Sequence, residues 1–133
     1  MISSIRLLDK LEFEIGGFRR GYEGILLKDN QIFFKNDEFS NFIEPVKVVT
    51  DNEINEFLKT CNEINLWSWK KDYFNQEVVD GTQWELKIKK GGKLRGRNIC
   101  GSNSYPQPID KFNKFIIAIN KLAGCNIELV EDI

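Results

Sequence analysis

Apolar and polar residues alternate from Leu11 through Glu12, Phe13 and Glu14 to Ile15. A period of two predicts a half-buried β-strand, because successive side chains leave the backbone on opposite faces. A glycine-rich turn over 16–21 follows, and two further apolar segments, 22–28 and 31–35, flank Asp29-Asn30. Asp and Asn tolerate the positive φ that a two-residue hairpin turn demands. Such a turn sets Leu27 against Ile32 and Ile25 against Phe34 on one face, and Leu26 against Phe33 on the other. The hairpin is therefore expected to be central and partly covered on both sides. Residues 36–45 are polar and acidic and read as a loop, and 46–49 as a short strand.

Thr50-Asp51-Asn52-Glu53 has the form of a capping box, in which a hydroxyl and a carboxylate satisfy backbone N–H groups at a helix start. Ile54, Phe57, Leu58, Cys61 and Ile64 then recur at helical spacing. After the aromatic-dense 66–74 and a turn at Asp80-Gly81, alternation resumes, with Trp84, Leu86 and Ile88 on one face and Glu85, Lys87 and Lys89 on the other. Residues 93–100 read as the return strand. A three-residue loop at Lys90-Gly91-Gly92 would place Ile88 opposite Leu94, Leu86 opposite Gly96, Trp84 opposite Asn98 and Glu85 opposite Arg97; a two-residue Gly91-Gly92 loop would set Ile88 against Arg95, which alternation disfavours. Pro108 suits the first residue of a second helix, Phe112, Phe115, Ile116, Ile119 and Leu122 form its stripe, and Gly124 stands where a left-handed cap belongs. Residues 125–130 could add a last short strand, with Glu131 and Asp132 in solvent. The expectation is one α+β domain over 1–133: an antiparallel meander sheet with two helices packed on one face, in the order strands, helix, hairpin, helix.

A length of 133 residues fits one core, and a net charge of −1 selects no polyanion or acidic membrane as partner. No apolar run is long enough for a membrane span or signal peptide, so a cytoplasmic location is expected. The three cysteines, Cys61, Cys100 and Cys125, form no Cys-x-x-Cys pair and read as reduced core residues. There is no histidine, which excludes Ser-His-Asp and Cys-His catalysis and His-bearing zinc sites. A non-enzymatic protein without metal or cofactor is the expectation. Glu77 and Asp80 could in principle work as an acid–base pair, but Asp-Gly is a common turn.

Trp69-Lys70-x-x-Tyr73, Asp80-Gly81-x-x-Trp84-x-Leu86 and Gly101-Ser102-Asn103-x-Tyr105-Pro106, followed by Phe112, resemble a group of small uncharacterised bacterial proteins with W-K-x-x-Y, D-G-x-x-W-x-L and G-S-N-x-Y-P motifs. Phe13-x-Ile15-x-Gly17 and Gly21-Tyr22 belong to the same pattern. The resemblance implies bacterial origin and one shared fold, and attaches no activity. Some proteins of this size and style are immunity proteins of polymorphic toxin systems, an analogy of context rather than of motif.

Three surfaces are candidates. Trp67, Trp69, Tyr73, Trp84 and Tyr105 could wall an aromatic pocket for a small ligand or anion, or simply fill the core. The hairpin cations Lys87, Lys89, Lys90, Lys93, Arg95 and Arg97 would set like charges across strands in the three-residue register, a strain that an acidic protein surface would relieve; the plainer reading is a solvated edge. Nucleic acid is the lesser expectation, since nothing else in the chain extends the patch. The loop with Ser102, Asn103 and Tyr105, ahead of a helix N-terminus, could hold an anion or serve as a rigid turn. The favoured function is a protein-binding module, of immunity or regulatory type, that uses the hairpin and this loop; the alternative is the aromatic-walled pocket.

Overall fold

The computed structural model describes residues 7–17, 21–35, 45–75, 81–93 and 95–130. They form strands β1 (Leu8–Gly17), β2 (Glu23–Lys28), β3 (Gln31–Lys35), β4 (Pro45–Val48), β5 (Asp72–Phe74), β6 (Thr82–Lys90) and β7 (Arg97–Ser102), with helices α1 (Asp51–Glu63) and α2 (Ile109–Ala123) and a 3₁₀ turn at Leu66–Ser68. All seven strands join one sheet in the order β4-β3-β2-β1-β6-β7-β5. Neighbours are antiparallel except for β5 and β7. The class is α+β, as the patterning predicts. The first four strands form a meander, and the later hairpin returns to pair with β1 rather than with β4.

Alternation decides which face of the sheet is covered. Leu11, Phe13 and Ile15 of β1 are buried together with Ile25 and Leu27 of β2 and Trp84, Leu86 and Ile88 of β6. Phe57 of α1 and Phe112 and Phe115 of α2 join them in one core. Phe13 meets Phe115 edge-on at 5.1 Å between ring centroids, and Phe57 lies 6.0 Å from Phe115, so both helices close on one side. Edge-to-face rings of this kind add to the burial term itself. The other face presents Glu12 and Glu14 of β1, Leu26 of β2, Phe33 of β3, and Glu85 and Lys87 of β6, none of them fully buried. Among the described residues no helix packs there. No helix of the described chain is long and apolar enough to cross a membrane.

The first hairpin has the predicted register, with Leu27 opposite Ile32, Leu26 opposite Phe33 and Ile25 opposite Phe34. Asp29 and Asn30 adopt φ of 52° and 60°. At α1 the Thr50 hydroxyl accepts from the Glu53 amide at 3.2 Å while the Glu53 carboxylate accepts from the Thr50 amide at 3.2 Å. Gly124 caps α2 with φ 72°. Lys47 of β4 donates to Glu53 at 2.8 Å and to the Leu122 carbonyl at 3.0 Å, tying the edge strand to both helices.

Several expectations are corrected. Ile88 pairs with Arg97, Leu86 with Ile99, Trp84 with Gly101, Lys87 with Asn98 and Glu85 with Cys100. The return strand therefore begins later than expected and has the opposite parity, so that Ile99 and Gly101 face the helices. The reason is Trp84: its indole lies where a side chain on the opposite residue would stand, and a Cβ on Gly101 would overlap indole Nε1. Cys100 consequently lies outward and half-buried; Cys125 is half-buried against the core, and only Cys61 is fully buried. Pro45 belongs to β4 rather than to the preceding loop. Pro108 is the N-cap of α2, with ψ 155°, and Ile109 its first residue. Residues 125–130 form no strand; the side-chain amides of Asn120 and Asn113 bond the backbone of Ile127 and Val130 in place of a neighbouring strand. Strand β5, parallel to β7, is too short to show a period. Glu77, Asp80, Leu94, Glu131 and Asp132 lie outside the described residues.

Burial pushes the Cys61 thiol from an ordinary 9.0 up to about 12, with Lys90 pulling it back slightly. The native state holds the neutral thiol while the unfolded chain ionises near its ordinary value. Stability that is complete below pH 9 is therefore lost as the pH climbs toward 12. Urea midpoints measured from pH 8 to 11 should fall less steeply in Cys61→Ala than in the parent; equal slopes would exclude this thiol as a cause.

Candidate functional site

The signature residues converge, but on one another. Trp84 lies 4.7 Å from Phe112 and 5.9 Å from Tyr73 between ring centroids, and it stacks on Tyr105 at 6.5 Å. Tyr105 lies 4.9 Å from Phe112, and Trp69 stacks on Phe112 at 6.4 Å. The polar atoms of three of them are engaged as well. Trp84 Nε1 donates to the Ser104 carbonyl at 3.0 Å, Trp69 Nε1 to the Ile64 carbonyl at 3.2 Å, and the Tyr73 hydroxyl accepts from the Lys70 amide at 3.0 Å. Trp69 and Trp84 are buried, and Tyr73 and Tyr105 pack against the core. These rings fill space between sheet and α2 and wall no pocket among themselves. The glycines of the motifs serve the same cluster: Gly101 makes room for Trp84, and Gly81 for the Asn103 side chain.

The basic hairpin is likewise rearranged by the shifted register. Lys87 lies 3.6 Å from Glu12 and 3.7 Å from Glu85, and Lys89 lies 3.0 Å from Asp9. Lys90 sits over the Trp67 ring at 4.4 Å. Arg97 does not face Glu85; it turns toward the helix side, where Nη1 donates to the Trp67 carbonyl at 3.1 Å and Nη2 to the Trp69 carbonyl. A guanidinium is suited to bridging two carbonyls in this way. Only Lys93 and Arg95 of the six cations are exposed, so the expected cross-strand clashes of Lys87 with Arg95 and of Lys89 with Lys93 do not occur.

In the following loop Asn103 adopts φ 57° and its amide donates to the Thr82 carbonyl at 2.8 Å. Tyr105 joins the aromatic cluster, and only Ser102 faces away from the helices, half-buried at the end of β7.

A concavity lies on the helix-free face. A groove of about 810 Å³ is lined by Glu14, Gly16, Tyr22, Phe74, Gln83, Glu85, Cys100 and Ser102, with Ile15, Trp84 and Gly101 contributing to its floor. Strand register explains its shape. Gly16 of β1 is opposite Gln83 of β6, Gln83 is opposite Ser102 of β7, and Ser102 is opposite Phe74 of β5. Small and polar residues thus occupy the middle of this row. Phe74, 66% exposed, stands at one end, and the Tyr22 ring lies against Gly16 at the other. The adjacent row runs Glu14, Glu85, Cys100, Asp72 across the same four strands.

Electrostatics distinguish the members of that row. Burial raises the pKa of Glu14, but hydrogen bonds from Lys35 and Tyr22 and the charges of Lys35 and Lys87 outweigh it, so the carboxyl is held below its ordinary range. Its ion pair with Lys35 spans 2.8 Å. Cys100 donates its S–H to Asp72 at 3.1 Å. That bond, then burial, then the charges of Asp72 and Glu85 push its thiol pKa up, so Cys100 is a poor nucleophile, since the thiolate is the reactive form. Among the described residues no three His, Cys, Asp or Glu side chains could hold a metal ion.

Sequence reasoning placed Ser102 among the candidates but missed Tyr22, Phe74, Gln83 and Cys100. The alternation of 82–89 does show that Gln83 and Glu85 leave the core face, but nothing local shows that they meet Gly16 and Phe74. Comparison with protein-family models, with curated proteins and with solved structures finds no significant match for this chain.

Proposed function

We propose that this chain is a cytoplasmic, non-enzymatic protein-binding module, of immunity or regulatory type, that meets its partner with the helix-free face of its sheet. A solvated face is ordinary for an antiparallel sheet, so exposure alone carries little. The observation that supports the reading is Phe74, a 66% exposed aromatic at the rim of a groove whose other members, Gln83, Glu85 and Ser102, offer hydrogen-bonding groups. An aromatic anchor within a polar rim is the usual composition of an interface hot spot. Trp69, Tyr73, Trp84, Tyr105 and most hairpin cations, by contrast, are engaged internally.

The test is site-specific photo-crosslinking in the source cell, with the photoreactive residue at position 74, at 93 in the basic turn, or at 117 on the exposed side of α2. A discrete adduct from position 74 alone is expected. An adduct from 93 alone would return the interface to the basic hairpin, and one from 117 alone would move it to the helices. The groove volume also falls within the range of small-molecule sites, roughly 300–1,000 Å³. That favours a small ligand as second reading, to which an adduct-free chain stabilised by a cell metabolite extract would point.

A further inference from the structure

We infer that the partner segment received by this groove is an extended, basic stretch of polypeptide that crosses the strands along the row Glu14, Glu85, Cys100 and Asp72. The inference rests on the binding reading above and adds the chemistry of the occupant.

Three observations lead there. First, the row sets Glu14 directly opposite Glu85 on β1 and β6. Directly opposed like charges destabilise a sheet; Lys35 and Lys87 offset part of that cost, and a further positive group would offset the rest. Glu14 has Lys35 at 2.8 Å, whereas Glu85 reaches Lys87 only at 3.7 Å and its side chain stays 47% exposed. Second, the Asp72 carboxylate is held over β7 by the Cys100 S–H at 3.1 Å, which extends the acidic row beyond Glu85. Third, the acids are distributed rather than convergent. Strands lie about 4.8 Å apart, so four of them spread the row over about 14 Å. No three of its members could hold a metal ion. An extended chain advances about 3.3 Å per residue, so same-side side chains four residues apart lie about 13 Å from one another and can reach the acids at the two ends of the row, Glu14 and Asp72. Tyr22 and Phe74 bound the neighbouring row, where they can receive the intervening apolar side chains and add cation–π attraction.

Two capped hexapeptides, one alternating leucine with arginine and the other leucine with glutamate, can be titrated into ¹⁵N-labelled protein at low salt. The arginine peptide should shift the amides of residues 14, 22, 74, 83, 85, 100 and 102, and the glutamate peptide should not. The double substitution Asp72→Asn/Glu85→Gln should weaken the arginine peptide roughly three- to tenfold, as expected for two partly exposed charge pairs, with an unchanged thermal midpoint confirming the fold. Equal responses to both peptides, shifts centred elsewhere, or no shift would overturn the inference. Its failure is separable from that of the binding reading. An adduct at position 74 that survives the double substitution undiminished keeps the face and removes the basic occupant, whereas absence of that adduct in the unsubstituted chain removes the face itself.

Discussion

Phe112→Ala is expected to lower the free energy of unfolding by about 4 kcal/mol, the middle of the range for truncating a buried aromatic. Phe112 is fully buried and is the ring on which the signature converges, with Trp84 at 4.7 Å, Tyr105 at 4.9 Å, and Trp69 and Phe13 each at 6.4 Å. Truncation removes its transfer free energy and leaves a void between rigid rings that cannot all collapse inward. Domains of this size are stable by roughly 5–15 kcal/mol, so the variant should sit close to its unfolding threshold. Urea denaturation followed by tryptophan fluorescence measures the loss. A cost below about 1.5 kcal/mol, the level of a conservative core swap, would show that the cluster is loosely packed.

Gly101→Ala should cost about 3 kcal/mol although it adds only a methyl group. A Cβ there overlaps the Trp84 indole and crowds the Ser104 carbonyl at 2.7 Å. The indole cannot yield freely, because it is held on its other side by Tyr73, Tyr105 and Phe112. Overpacking of this kind costs about 1–3 kcal/mol, and displacing the ring also breaks the bond from Nε1 to Ser104, leaving a buried donor at a further cost of about 1–3 kcal/mol. The near-ultraviolet circular dichroism of Trp84 should change along with the denaturation midpoint. Gly101→Ala with unaltered stability would mean that Trp84 does not dictate the glycine, and with it the β6–β7 register.

Both predictions give a physical content to the spaced motifs. A W-K-x-x-Y, D-G-x-x-W-x-L and G-S-N-x-Y-P pattern invites a functional reading because aromatics, Asn and Gly are frequent at sites. In this fold the tryptophans and tyrosines stack, the glycines clear space for Trp84 and Asn103, and Arg97 braces the carbonyls of Trp67 and Trp69. The pattern holds β5, β6, β7 and α2 together. Its tryptophans, Tyr73, Tyr105 and Phe112 occupy the covered side of the sheet, whereas Ser102 and Tyr22 line the groove that opens on the other.

Local patterning was sufficient for much of the architecture. The period of two in β1, the Asp29-Asn30 turn with its three cross-strand pairs, the capping box at Thr50 and Glu53, and the stripes of α1 and α2 are each set by residues within a few positions of one another, so the chain itself determines them. The β6–β7 pairing, the parallel strand β5 and the groove are different. Six residues, 91–96, separate β6 from β7, and a connection of that length permits either strand parity. The choice was made by the fit of Trp84 against Gly101 and Phe112, a contact among three distant segments. The groove, in turn, exists only because register brings Glu14, Phe74, Gln83 and Ser102 side by side from four strands, with Tyr22 just before β2. Periodicity assigns a residue to a face; which residues become neighbours on that face is settled by packing.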